Sequence, residues 1–256
     1  MYHLQGDLVD PIRLAQCADV LATTSPNTLI YAAMDAWRQR MVRDGEQLLG
    51  HALDLSRSVR DEIERIDGMH VLEQELVHEE ASHDLDPLHV IVDLNDLGIT
   101  GFQAADWLRA EERIDIGLSD HRRIEATLSM ADDTDTTDRL LAALRHLVQA
   151  APSLPRPPEV RLPSWADLAL ETVMLPRDAF FGPVEVVPVA EAAGRIAAEQ
   201  ITPYPPGIPA ALPGERLNQV VVDYLTSGVG AGMELPDPGD PSMKTVRVVR
   251  DAHGGA

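Results

Sequence analysis

The sequence of 256 residues is poor in several things, and each scarcity excludes something. It has one cysteine, Cys17, so no internal disulfide can form, and a reducing cytoplasm is the implied compartment. It has no apolar run near the ~18 residues that a membrane span needs, and Met1-Tyr2-His3-Leu4-Gln5 lacks the layout of a signal peptide. Basic side chains are scarce: 21 Lys and Arg against 42 Asp and Glu leave a formal charge of -21. Such a surface repels phosphate backbones and anionic lipid unless basic residues cluster, and no cluster is visible. Nucleic acid and membrane are therefore not expected partners. Lysine is scarcest of all, with Lys244 alone among the 21 basic residues.

What is present reads as a globular protein, with a hydrophobic fraction of 45% and a charged fraction of 25%. After a strand or loop remnant, Thr23-Thr24-Ser25-Pro26 predicts a helix start, with Ser25 as cap and Pro26 at the first helical position. Leu29, Ala33, Trp37 and Met41 recur at four-residue spacing, giving an amphipathic helix to about Asp44. A second helix follows through Leu49, Leu53, Val59, Ile63 and Ile66. Met69 to Leu76, Leu88 to Val92 and Ile124 to Met130 read as strands. Thr100 with Gln103 forms a capping-box pattern, and Leu140, Leu144 and Leu147 mark a further helix.

The proline-rich stretch Ala151 to Pro158 is the clearest boundary. Beyond it the pattern predicts a helix from Trp165 to about Thr172, a strand from Val184 to Val189 and a helix from Ala190 to Gln200. Pro203-Tyr204-Pro205-Pro206-Gly207-Ile208-Pro209 can only be an ordered turn or a polyproline-like loop. A helix near Leu217 to Leu225 and a strand from Thr245 to Val249 close the pattern. The fold class expected is α/β to α+β, because strands and helices interleave.

Most chemical motifs fail on spacing. His78-Glu79-Glu80-Ala81-Ser82-His83 is one residue too long for a zinc-protease helix, since histidines five apart lie roughly 140° around the axis. Asp132-Asp133-Thr134-Asp135 has the acids of a calcium loop without its glycine and glutamate, and suits a helix N-terminus instead. Gly228-Val229-Gly230-Ala231-Gly232 is followed by Pro236 and Pro238 where a dinucleotide-binding helix should begin, so it is read as a flexible loop. No Gly-x-Ser-x-Gly is present. The Thr23-Thr24-Ser25-Pro26-Asn27 turn differs: hydroxyls and free N–H groups at a helix start can cradle a phosphate, although the same residues also make an ordinary cap.

Several stretches together resemble one family. Thr23-Thr24-Ser25-Pro26-Asn27-Thr28-Leu29 with Ala32-Ala33-Met34-Asp35-Ala36 and Arg38 is similar to a segment of the bacterial Orn/Lys/Arg decarboxylases. So are Asp93-Leu94 with Leu97-Gly98-Ile99-Thr100-Gly101-Phe102, and Arg177-Asp178-Ala179-Phe180-Phe181 with Glu191 to Ile196. The same signature continues through Thr202 to Pro209 and Pro213-Gly214-Glu215. The rigid Tyr-Pro-Pro-Gly-Ile-Pro block is the most specific of these.

The resemblance implies pyridoxal-phosphate enzymes of the aminotransferase fold that convert arginine, lysine or ornithine to the amine and carbon dioxide. It implies four regions: the end of the large cofactor domain over 1–67, a small α/β domain over 68–151, a linker over 152–163 and a C-terminal α+β domain over 164–256. Thr23, Thr24 and Ser25 are then expected near the cofactor phosphate, and Tyr204 and Glu215 at the substrate entrance. The family's cofactor lysine follows a Ser-x-His segment upstream of the region matched here, and Lys244 does not inherit its role. The chain is thus expected to be the C-terminal part of a cytoplasmic, homo-oligomeric decarboxylase that does not turn over alone. The alternative is a non-catalytic assembly subunit that pairs with a lysine-bearing partner, and a third option is a sensor of small molecules.

Overall fold

The computed structural model describes residues 4–23, 25–78 and 82–250. The chain divides into two units, Met1–Leu48 and Leu49–Ala256.

The first unit is helical. Helix α1 spans Pro11–Leu21, where a strand or loop remnant was expected; Asp10 caps it by accepting the N–H of Ile12 at 2.9 Å, and Pro11 occupies the first turn. Helix α2 spans Thr28–Ile63 as one piece of 36 residues, about 54 Å at 1.5 Å per residue. Two helices were predicted here. The pattern does not break at Gly45 because Arg40 and Asp44 form an i,i+4 ion pair at 3.0 Å across the preceding turn. A glycine costs a helix about 1 kcal/mol, too little to end one of this length.

In the second unit, the last turns of α2 bury Ala52, Leu55, Val59 and Ile63. A four-stranded antiparallel sheet follows, with strands β1 (His70–Leu72), β2 (His89–Asp93), β3 (Leu118–Ser119) and β4 (Arg123–Thr127) in the order β1-β2-β4-β3. Its register pairs Val71 with Val92 and Val92 with Ile124, so the apolar side chains of three strands share one face. The predicted first strand stops at Leu72, where a 3-10 turn over Gln74–Leu76 takes over. The predicted Ile124 to Met130 strand ends at Thr127, because Asp132 turns the chain by accepting the N–H of Ser129.

Helix α3 (Gly101–Trp107) starts at Thr100, whose capping box with Gln103 is complete in both directions. Helix α4 (Thr134–Ala150) starts at Asp133 and presses Leu140, Leu141, Leu144 and Leu147 onto the sheet core.

The remaining chain builds a second core from Val187, Ile201, Leu217, Val221, Leu225, Met243 and Val248. Helix α5 is a single turn, Trp165–Leu168, and Glu171–Thr172 is strand β5 rather than the end of a predicted helix. Helix α6 spans Pro176–Phe181 and strand β6 spans Val184–Pro188. Strand β7 (Glu215–Arg216) pairs with β5, helix α7 spans Gln219–Gly230, and strand β8 (Thr245–Val249) pairs with β6. Among the described residues all strand pairs are antiparallel, which is the α+β alternative.

Two expectations fail here for tertiary reasons. Ala190 to Gln200 is no helix beyond a 3-10 turn at Val189–Glu191. Gly194 adopts φ 85°, and Ile196 and Ala197 then bridge to Arg216 and Val248, burying Ala197, Ala198 and Ile201 completely. Backbone pairing in the core outweighs alanine's helix preference. The glycine-rich stretch at 228–232 is not a flexible loop either, since α7 continues to Gly230. Gly228 packs against Met233, whose terminal methyl would lie 2.4 Å from a Cβ placed there.

Candidate functional site

The first candidate is the turn before α2. Thr23 Oγ1 accepts the N–H of Ser25 at 3.2 Å, and Asn27 Oδ1 accepts the N–H groups of Leu29 at 3.1 Å and Ile30 at 3.3 Å. Asn27 is therefore the cap, in place of Ser25, and Pro26 lies outside the helix. Two of the amides at this helix start are consequently occupied by Asn27. The hydroxyl-bearing residues Thr23 and Ser25 remain exposed beside the positive end of a long helix, an arrangement that can receive an anion. Thr24 lies outside the described residues.

The second candidate is the proline turn. Tyr204 donates its N–H to Glu234 O at 2.9 Å and Gly207 donates to Pro203 O at 3.0 Å, with Gly207 at φ 83°. The Tyr204-Pro205 and Pro205-Pro206 bonds are cis. The turn lies over edge strand β3 and closes two adjoining cavities. One, of 340 Å³, is bordered by Ile91, Leu118, Asp120, Glu125, Pro205 and Pro206. The other, of 190 Å³, is bordered by Phe102, Asp106, Arg109, Ser119, Tyr204 and Glu234. Tyr204 thus sits in an aromatic and acidic recess, with Arg109 held by Asp115 at 2.6 Å.

Glu215 lies elsewhere. It belongs to β7, and its Oε2 accepts the N–H of Leu212 at 2.8 Å; neither cavity beside the proline turn includes it. Lys244 is exposed just before β8, with its backbone N–H on Asp240 Oδ2 at 3.1 Å. Within 78–83, His78 and Ser82 exchange backbone hydrogen bonds, and residues 79–81 lie outside the described residues. Among the described residues no group of three His, Cys, Asp or Glu side chains is placed to hold a metal.

Sequence reasoning missed the partners of Tyr204. Phe102, Ser119 and Glu234 are scattered over more than 130 positions and meet only because α3 packs against the second core. It also missed a hydrogen-bonded cluster on the sheet, where Glu125 accepts from Thr127 Oγ1 and faces His89 Nδ1, both at 2.9 Å. The signal for that contact is the register of β2 on β4, which a single strand does not reveal.

Residues 164–237, which carry the proline turn and Glu215, match the family described as Orn/Lys/Arg decarboxylase, C-terminal domain. Over 252 residues the chain is 33% identical to arginine decarboxylase of Bacillus subtilis (strain 168), covering 97% of this chain and 51% of that protein. The chain corresponds to the C-terminal portion of the Orn/Lys/Arg decarboxylase family. A second decarboxylase relative, arginine decarboxylase of Halalkalibacterium halodurans, is 35% identical over 97% of this chain and 50% of its own length. The chain spans about half the length of the curated relatives it matches. Its fold is that of the Escherichia coli constitutive lysine decarboxylase over 97% of this chain and 47% of that one, with a TM-score of 0.70 at 19% identity. The similarity to arginine decarboxylase extends over 97% of this chain, well beyond the matched C-terminal domain.

Proposed function

We propose that this chain forms the C-terminal part of a pyridoxal-phosphate-dependent decarboxylase that acts on a basic amino acid in the cytoplasm, as a homo-oligomer. The observation that carries this reading is the match to arginine decarboxylases along 97% of the chain, which makes arginine the first substrate to test, ahead of lysine and ornithine.

The residues described suit one end of the cofactor. Thr23 and Ser25, with Thr24 between them in sequence, supply hydroxyls at the N-terminus of α2, where a phosphate is favoured by the helix dipole. They do not suit its aldehyde end: Lys244 is the single lysine, exposed beside β8 and remote in sequence from that turn. When bound, the cofactor supplies an electron sink for the carbanion left by departing carbon dioxide. The residues of this chain contribute binding and orientation. Tyr204, Asp106 and Glu234 line a recess whose charge favours a cationic side chain, and Pro205 and Pro206 fix the position of its wall. Glu215, bonded to Leu212, acts by holding the loop that follows the proline turn.

The single lysine also favours a second reading, in which the chain is a non-catalytic assembly subunit that pairs with a lysine-bearing partner. Coexpression with the half of the Bacillus subtilis arginine decarboxylase that this chain does not match separates the two. Release of carbon dioxide from arginine supports the decarboxylase reading, and a Thr23→Val/Ser25→Ala variant should then need about tenfold more cofactor for half-maximal activity, a loss of roughly 1.4 kcal/mol. A stable pair that releases carbon dioxide from none of the three amino acids leaves only the assembly role.

A further inference from the structure

Glu125 lies on the face of the sheet opposite the Val92 and Ile124 core, where the register sets it beside Ile91 of β2 and Leu118 of β3. Its side chain is only 9% exposed. One carboxylate oxygen, Oε1, makes both of its polar contacts, to Thr127 Oγ1 and to His89 Nδ1. The other, Oε2, accepts no hydrogen bond among the described residues, although an ionised carboxylate accepts on both oxygens. A buried carboxylate oxygen without a donor is unfavourable unless something outside the chain supplies one.

Gly117 points the same way. A Cβ at that position would lie 2.7 Å from Glu125 Oε2. The backbone of Gly117 is not in the left-handed region that favours glycine, so a turn is not what glycine serves here. What it supplies is room beside this oxygen.

The cavity that Glu125 borders has the volume and walls of a small-molecule site. It measures 340 Å³, within the range of about 300–1,000 Å³ for such sites. Ile91, Leu118, Pro205 and Pro206 make apolar walls that fit a short aliphatic stem. The charged side chains on its border are Glu125, Asp120 and Arg123. Arg123 Nη1 and Asp120 Oδ2 lie 3.8 Å apart and offset one another. Arg123 Nε is sealed from solvent without a partner, so it offers the cavity no donor. The charge left to be matched is that of Glu125. A ligand carboxylate would be set against Glu125 and Asp120 together and is disfavoured.

We infer that this cavity binds a small organic cation that lacks a carboxylate, an alkylguanidinium or alkylammonium ion, through a charge-assisted hydrogen bond to Glu125 Oε2. The aliphatic stem lies between the strand side chains and the proline turn. The inference goes beyond the decarboxylase reading and stands apart from it, because binding requires neither cofactor nor turnover.

The test is calorimetric titration of the full 256-residue chain with butylguanidinium chloride, with N-butylurea as its uncharged counterpart, and with arginine. Butylguanidinium should bind one to one, and the other two about tenfold more weakly or worse. Glu125→Gln should weaken butylguanidinium binding by a similar factor, whereas Asp106→Asn, in the adjoining recess, should leave it unchanged. Leu118→Trp, on the edge strand, fills the cavity with Glu125 intact and should abolish binding, so the test does not depend on how Glu125→Gln folds. Absence of saturable binding to the parent chain overturns the inference, as does affinity that survives Leu118→Trp. Loss of binding on Asp106→Asn but not on Glu125→Gln moves the cation to the adjoining recess and overturns it equally. Arginine binding as tightly as butylguanidinium overturns the exclusion of carboxylates.

Discussion

Glu199 Oε1 accepts the backbone N–H of Arg247 at 2.7 Å, tying the buried segment before the proline turn to strand β8. Its other oxygen accepts the N–H of Gly239, also at 2.7 Å, and the residue is only 5% exposed. A buried carboxylate that satisfies two backbone donors is expensive to remove. Each orphaned N–H costs about 1–3 kcal/mol, so Glu199→Ala should lose roughly 3 kcal/mol in urea unfolding. Glu199→Gln, which retains one acceptor, should lose about half as much. An alanine variant as stable as the parent would show that these bonds contribute nothing net.

Two glycines should respond in opposite directions. A Cβ on Gly101 would sit 1.8 Å from the carbonyl oxygen of Arg123, inside the contact between α3 and the β3–β4 hairpin. Backbone cannot yield as a flexible side chain can, so Gly101→Ala should cost about 3 kcal/mol or more. Gly50 lies within α2 with nothing within 4 Å of its would-be Cβ, and Gly50→Ala should stabilise by about 0.5–1 kcal/mol. Thermal melts of the two variants decide both signs at once.

What the sequence disclosed follows a physical division. Helix starts that use local side chains were legible: Thr100 with Gln103 and Asp133 lie within three residues of the amides they serve. The proline turn was legible because proline restricts its own backbone and that of its neighbour. Ala190 to Gln200 was misread because its conformation is set by partners in β7 and β8, tens of residues away. The glycines at 228–230 were misread because α7 runs through them and Gly228 packs against Met233, a contact that the local pattern does not reveal. The site divides likewise. Tyr204 was singled out by the family resemblance of its segment, but its company of Phe102, Ser119 and Glu234 is a product of tertiary structure alone.

Arg60 is buried and spans the junction between α2 and the sheet. Its guanidinium donates to His89 O at 2.8 Å, Pro87 O at 3.0 Å and Glu73 Oε1 at 2.9 Å. Truncation leaves two carbonyls and a carboxylate short of a donor, and removing one member of a buried ionic network costs about 3–5 kcal/mol. Because Glu73 is half exposed and can turn to water, the lower end is expected for Arg60→Ala. Arg60→Lys should recover little, since an ammonium cannot reproduce the fork that reaches the Pro87 and His89 carbonyls and Glu73 together. Chemical denaturation of the three proteins in parallel tests the ranking. A lysine variant equal to the parent would mean that charge matters here and geometry does not.

His70 and His121 should titrate on opposite sides of the ordinary imidazole value of 6.5. His70 is held between Glu75 at 2.8 Å and Glu64 at 2.9 Å. The hydrogen bond to Glu75 raises its pKa most, desolvation opposes that rise, and the charge of Glu64 then adds to it. His121, in the β3–β4 turn, is pushed down by burial first, with Arg123 and Arg122 adding to the effect and Asp120 and Asp93 opposing it. For His70 the stabilising proton is bound in the folded state, so its contribution is complete below 6.5 and is lost as pH rises through the raised folded value. For His121 the neutral ring is the folded form, and its contribution is present above 6.5 and lost as pH falls through the lowered value. Imidazole proton shifts followed by NMR between pH 4 and 9 should give His121 the lower midpoint. Glu75→Gln should bring His70 back towards the ordinary value while His121 does not move. A His70 midpoint unchanged by that substitution would remove the Glu75 hydrogen bond as its cause.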